Sequence, residues 1–245
     1  MSYRYLLFDL DDTLLDFKRA EATAIRRVLT QFGIDSSDRT VRLYSEINDG
    51  FWKRFERGEI ERSEIFEGRF HALASQLGLQ LDTAAVSAAY FKALSACGFV
   101  FPEAVPLLEQ LKKEHILCAI TNGALFTQTM RMVSSGLGGY FSGGIYISEQ
   151  IGLQKPQKEY FDYVLRCLGN PPKSEVLVLG DSPSSDIAGA KAADLDSCFV
   201  NLRGQTIPAT LCPTYTVCSL PDIPAVCDLH ISGLPLEGKL APIGD

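Results

Sequence analysis

Tyr5-Leu6-Leu7-Phe8-Asp9-Leu10-Asp11-Asp12-Thr13-Leu14, residues 5–14, is the stretch on which the reading of this 245-residue chain turns. Its first four residues form a continuous apolar run, which suits a strand buried on both faces of a parallel sheet. Three carboxylates follow at once. In open α/β sheets, ligands bind beyond the carboxyl ends of the strands, so these acids stand where a site is expected. Residues two apart in an extended segment project to the same side, so Asp9 and Asp11 can face one ligand together, one attacking and the other handling the proton. For Asp12 and Thr13 the plainer reading is a polar turn whose side chains cap local backbone groups.

Further apolar, β-rich runs occur at 116–120, 145–147, 176–179, 198–200 and, more weakly, 215–217. Helical spacing of three to four residues separates them, as in Tyr160, Phe161, Val164, Leu165 and Leu168, or Phe126, Met130, Val133 and Leu137. Alternation of this kind predicts an α/β core with a mostly parallel sheet. It is interrupted after the first strand, where Tyr44, Ile47, Phe51 and Phe55 make one helical stripe and Phe66, Phe70, Leu73 and Leu77 another. These stripes predict an all-helical insert over residues 17–94, punctuated by Gly33, Gly58 and Gly78, with the core formed by 1–16 and 95–230. The Pro- and Gly-rich stretch 231–245 reads as a loosely held tail.

A hydrophobic fraction of 46% with 22% charged residues is that of a soluble globular protein rather than a disordered or fibrous one. The formal charge of -7 argues against a nucleic-acid polymer or an anionic membrane as partner, because both favour a basic face. Seven scattered cysteines with no CxxC pair, and three isolated histidines, read as reduced and mostly buried thiols in a cytoplasmic protein, without a thiolate zinc site. The first apolar run is too short for a signal peptide core or a membrane span.

A second acidic cluster repeats the arrangement of the first. The run 176–179 leads into Gly180-Asp181-Ser182-Pro183-Ser184-Ser185-Asp186, ahead of a helix rich in small residues at 188–193. Gly180 permits a tight turn there, and Asp186 or a serine can cap the helix. Ile120-Thr121-Asn122-Gly123 ends another strand and opens a helix, placing a hydroxyl and free N–H groups where a phosphate can be cradled. Lys155, in Gln154-Lys155-Pro156, is by itself an ordinary surface lysine, raised only by its companions.

Together, Asp9-x-Asp11-x-Thr13, Thr121-Asn122, Lys155 and Gly180-Asp181 with Asp186 resemble the four ordered motifs of the haloacid dehalogenase-like superfamily, over about residues 3–201. The resemblance implies a Rossmann-like core and makes the 17–94 insert a helical cap. It assigns Asp9 as nucleophile and Asp11 as general acid/base. Mg2+ would be held by Asp9, the Asp11 backbone carbonyl and Asp181, with Asp186 in support. Thr121, Lys155 and the Asn122 backbone would bind the phosphoryl oxygens. Charge balance agrees, since a dianionic phosphate cannot approach several carboxylates unless cations such as Mg2+ and Lys155 offset the repulsion. Leu14-Leu15-Asp16-Phe17, Asn48-Asp49-Gly50-Phe51-Trp52 and the segment from Gln154 to Phe161 are similar to the noncanonical pyrimidine nucleotidases, a branch of 5'-nucleotidases. Pro183 stands where such sequences often carry a larger aliphatic residue. The expected partner is accordingly a small phosphate ester, a nucleoside monophosphate. A phosphoglycolate or sugar-phosphate phosphatase or a phosphomutase is the alternative on the same scaffold, and a catalytically silent binding module the alternative from another class. A dehalogenase would have no need of Asp11 or Mg2+.

Overall fold

The computed structural model describes residues 3–229. The chain opens with β1 (Tyr5–Phe8) and then runs through four helices, α1 (Phe17–Gln31), α2 (Asp38–Glu56), α3 (Arg62–Leu77) and α4 (Thr83–Ser95). After α5 (Ala104–Leu111), strand and helix alternate: β2 (Ile116–Thr121), α6 (Leu125–Ser135), β3 (Ile145–Ile147), α7 (Ser148–Ile151), α8 (Lys158–Cys167), β4 (Val176–Gly180), α9 (Ala188–Ala192) and β5 (Asp196–Val200). The described residues end with β6 (Tyr215–Val217) and α10 (Ile223–Leu229). The expected tail at 231–245 lies outside them.

All six strands pair in parallel, in the lateral order β3-β2-β1-β4-β5-β6. Tyr5 of β1 sits opposite Ile116 on one side and Val176 on the other, so β1 is the point from which the sheet is wound outward in both directions. This is the Rossmann-like arrangement, and it leaves a crevice at the carboxyl ends of β1 and β4. The strands are largely apolar because both faces of the sheet are covered, with polar exceptions at Thr121, Asp196, Ser197 and Thr216. Leu6, Phe8, Leu117, Leu177 and Leu179 join the cluster under α5 and α10, whereas Leu7, Cys118, Ile120, Val176 and Val178 join the one that includes Tyr160, Phe161 and Val164 of α8.

Helices α1 to α4 bury a separate cluster built on Ala24, Val28, Tyr44, Phe70, Leu73 and Tyr90. At its centre the Tyr44 ring lies 5.4 Å from Phe70 and 5.3 Å from Tyr90. Local capping defines the helix ends: Asp16 accepts from Arg19 N, Glu61 and Glu64 form a reciprocal capping box, and Asp82 accepts from Ala85 N. The chain enters and leaves these helices through one narrow passage, where Leu15 bridges Val100 in antiparallel fashion, Asp16 N donates to the Phe99 carbonyl (3.0 Å) and Phe101 N to the Leu14 carbonyl (3.1 Å).

One helix departs from the expected pattern in orientation. The apolar residues of α6 that mark it as helical, Phe126, Met130 and Val133, face outward, with Val133 72% exposed. Its buried side is mostly polar, formed by Thr127, Gln128, Arg131 and Met132. Among the cysteines, none of which is in a disulfide, Cys97, Cys118, Cys198 and Cys227 are buried and the other three exposed. No helix among the described residues is long and apolar enough to cross a membrane.

Phe70 is fully buried between two tyrosine rings. Phe70→Ala is expected to lower unfolding free energy by about 3–5 kcal/mol, read by urea titration. A loss under about 1 kcal/mol would mean that the helices do not depend on this aromatic centre.

Candidate active site

Asp9 follows β1 directly, and its backbone N–H donates to the Leu179 carbonyl of β4 at 2.8 Å. That bond ties the first acidic loop to the second at the rim where the sheet's winding reverses. Carboxylate oxygens of Asp9, Asp181 and Asp186 converge there, all within 4.8 Å of one another. Thr13 cross-links the two loops: its Oγ1 accepts from Asp181 N (3.1 Å) and donates to Asp9 Oδ2 (3.2 Å). Hence Thr13 is a tie between strands rather than a simple turn residue.

Lys155 reaches into the centre of this group. Its Nζ lies 2.6 Å from Asp9 Oδ1 and 2.6 Å from Asp186 Oδ1, and only 1% of the residue is exposed. Asn122 delivers it: the Asn122 Oδ1 accepts from Lys155 N (2.9 Å) and its Nδ2 donates to the Lys155 carbonyl (2.8 Å). Asp186 is fully engaged, because its second oxygen accepts from Ser182 N at 3.1 Å. It is Ser182 Oγ that caps the following turn, accepting from Ser185 N. Gly180 serves a different purpose from the turn expected of it. A Cβ there would stand 2.2 Å from Asp186 Oδ2, so the glycine makes room for that carboxylate.

The Asp11 carboxylate is not part of the convergent trio. It turns to the polar side of α6, where Arg131 donates to Oδ1 and Gln128 Nε2 to Oδ2 (2.7 Å). Thr121 is 1% exposed, and its Oγ1 accepts from the same Gln128 nitrogen (2.8 Å) and from Gly123 N (3.1 Å). Asp12 adopts a positive φ of 59° and accepts from Lys18 N and from Arg203, which also reaches Asp16 (2.8 Å). Sequence reasoning missed Gln128, Arg131 and Arg203. For the first two the available signal was an i, i+3 polar pair directly after Thr121-Asn122-Gly123, but such a pair normally reads as a solvated face.

Electrostatics sets the character of the rim. Burial raises the Asp9 carboxyl pKa, with Lys155 opposing and the neighbouring acids adding to the rise. Asp181 is raised well above the usual carboxylate range, first by burial and then by the charges of Asp9, Asp186 and Asp12. Burial alone would depress the Lys155 ammonium, yet Asp186 and Asp9 reverse this and hold it charged. When ionised, the three carboxyl groups outweigh the one ammonium, and the raised Asp9 and Asp181 reflect the lack of further positive charge to hold them as carboxylates. An all-oxygen donor set with excess negative charge suits a hard divalent cation such as Mg2+. Asp181 is the acid least occupied by the protein, its closest side-chain contacts being Gln205 Nε2 at 3.3 Å and Thr13 Oγ1 at 3.4 Å.

Above the acids opens a cleft of about 440 Å³. The four-helix segment supplies one side of it, with Phe17, Trp52, Phe91 and Leu94 as the apolar portion and the Lys18–Asp49 pair as a polar one. Arg62 of α3 crosses to the other side, donating to the Asn122 carbonyl (2.6 Å) and to Ser148 Oγ (2.6 Å), and Ser184 Oγ donates to Glu56 of α2 (2.6 Å).

The sequence pattern of the haloacid dehalogenase-like hydrolases matches residues 3–194. The HAD-hydrolase YfnB of Bacillus subtilis is 36% identical over 221 residues, covering 90% of this chain and 94% of that protein. Its crystal structure, described as bound to magnesium and revealing interdomain movement, superposes with a TM-score of 0.88 at 35% identity, covering 93% of this chain and 100% of that one. Pyrimidine 5'-nucleotidase YjjG of Escherichia coli is 31% identical (94% of this chain, 100% of that protein), and pyrimidine 5'-nucleotidase PynA of Streptococcus pneumoniae 33% (94% and 98%). The acidic rim, the sheet that carries it and these full-length likenesses have one common account: the chain belongs to the haloacid dehalogenase-like hydrolase family.

Proposed function

We propose that the protein is a Mg2+-dependent phosphomonoesterase working through an aspartyl phosphate, and that its substrates are pyrimidine nucleoside 5'-monophosphates. The observation that carries this reading is the convergence of Asp9, Asp181 and Asp186 on the buried ammonium of Lys155 at the floor of a nucleotide-sized cleft. Full-length similarity to two pyrimidine 5'-nucleotidases supports the substrate class.

In this reading Asp9, the backbone carbonyl of Asp11 and Asp181 hold Mg2+, with Asp186 supporting through Lys155. When bound, the ion would supply charge neutralisation and Lewis acidity toward the phosphoryl group. Lys155, Thr121 and the Asn122 backbone orient the phosphoryl group so that Asp9 attacks phosphorus in line. As the phosphorus–oxygen bond breaks, the departing oxygen takes a proton from Asp11, and the phosphoryl group remains on Asp9 as an acyl phosphate. Asp11, now ionised, takes a proton from water, which attacks phosphorus and releases phosphate with Asp9 restored. The helices of 17–94 act as a cap that excludes bulk water and selects the leaving group. The reduced thiols and acidic surface fit a cytoplasmic enzyme.

Asp9→Asn is expected to lower turnover by about 10³-fold or more while keeping a cooperative thermal transition. Excess chelator should stop phosphate release and added Mg2+ restore it; undiminished activity in chelator would remove the metal from the account. In a panel of nucleoside monophosphates, sugar phosphates and phosphoglycolate, pyrimidine nucleotides should show the highest kcat/KM. If they ranked last, the nucleotidase reading would fall and the phosphatase reading stand.

A further inference from the structure

α6 turns a polar face inward, and that face closes on one side chain. Gln128 and Arg131 are each about 1% exposed, and between them they occupy both oxygens of Asp11. Arg131 Nη1 also donates to Gln128 Oε1 at 3.1 Å, which fixes the amide with its nitrogen toward Asp11. Arg131 Nε is anchored on the Cys97 carbonyl (3.2 Å), the guanidinium lies 5.7 Å from the centre of the Phe17 ring, and Nη2 has no hydrogen-bond partner among the described residues. A buried guanidinium with one unsatisfied nitrogen is a costly way to fill space. The fold also makes room for the amide. A Cβ at Gly123 would stand 2.5 Å from Gln128 Nε2, so glycine is required for the amide to reach Asp11 and Thr121 together.

We propose that Gln128 and Arg131 are positioning residues for proton transfer, holding the plane of the Asp11 carboxyl toward the oxygen that leaves and then toward the attacking water. This inference rests on the phosphatase reading above. Each carboxyl oxygen has two lone-pair directions, so one can accept the α6 donor while the other carries or takes up the proton. In the first half-reaction the Asp11 O–H bond breaks and its proton passes to the departing oxygen, which keeps the electron pair of the broken phosphorus–oxygen bond. In the second, a water proton moves to Asp11 as the water oxygen bonds to phosphorus and the phosphorus–oxygen bond to Asp9 breaks, its electron pair staying on the Asp9 carboxylate. Through Gln128 the same device reaches Thr121, so the acid and the phosphoryl-binding hydroxyl are set by one amide.

Leaving-group dependence separates positioning from mere support. p-Nitrophenolate departs without a proton, whereas the alkoxide of a nucleotide needs one. Gln128→Met and Arg131→Lys would be compared with wild type on p-nitrophenyl phosphate and on uridine 5'-monophosphate, or on the best alkyl phosphate of the panel above if that nucleotide is not turned over. Thermal melting of each variant would be followed in parallel. The expected result for Arg131→Lys is a fall in kcat/KM of about 10- to 100-fold on the alkyl ester, against a change within about threefold on the aryl ester; Gln128→Met, which also loosens Thr121, is expected to fall on both esters but at least about tenfold further on the alkyl one. An equal fall on both esters, or no fall on either, in a variant with a native melting transition would overturn the proposal. Should one variant fail to fold, the other carries the comparison, and Gln128→Asn, which keeps the amide but shortens its reach, gives the same ratio. Wild-type protein inert toward every ester would sink the phosphatase reading instead.

Discussion

The site is organised by a single buried ammonium. Lys155 stands between Asp9 and Asp186, and each of these acids belongs to a different loop at the sheet's rim. An ionised group withdrawn from water is tolerated only when opposite charge and hydrogen bonds replace its hydration. That requirement links four parts of the chain. The β1 loop brings Asp9, the β2 loop grips the Lys155 backbone through Asn122, the segment before α8 carries the lysine, and the β4 loop supplies Asp186 across a glycine that leaves it space. Removing any one would leave another uncompensated. Even so, the acids outnumber the cation, so the rim keeps an unmet demand for positive charge, and Asp181 is its most available donor.

Two carboxylates only two residues apart are thereby given separate surroundings. Asp9 is held against the lysine at the floor, while Asp11 is drawn sideways to a guanidinium and an amide on α6. Separating neighbouring acids by environment is a general way to give them different tasks in one reaction. Here the two cations come from successive connections of the fold: Arg131 from α6, which follows β2, and Lys155 from the stretch between α7 and α8, which follows β3.

Much of this was readable in advance, for reasons that can be named. The strands announced themselves because burial on both faces demands unbroken apolar runs, and their limits at 5–8, 145–147 and 215–217 agree with those observed. The two acidic loops were legible because turn and cap roles account for single acids, whereas two clusters each placed directly after a buried strand stand where ligands bind. What escaped was held by long-range contacts. Gln128, Arg131 and Arg203 reach acids more than a hundred residues away in sequence, and the one local sign, the spacing of Gln128 and Arg131, reads as a solvated face. The stripe of α6 misled in orientation, since periodicity identifies a helix but assumes that its apolar side goes inward. Near a reactive site the interior is polar, and Phe126, Met130 and Val133 are left outside. Gly180 was noticed for the wrong property, its backbone freedom rather than its missing side chain.

Entry to and exit from the four helices occur side by side, with 14–16 laid against 99–101. A segment whose ends already touch can be lengthened, shortened or exchanged with only a slow, logarithmic change in closure entropy. The sheet register, and with it the spacing of the acids, does not depend on what is hung from that doorway. Selectivity and chemistry can therefore drift at different rates, and one set of reactive groups can be reused under many different roofs.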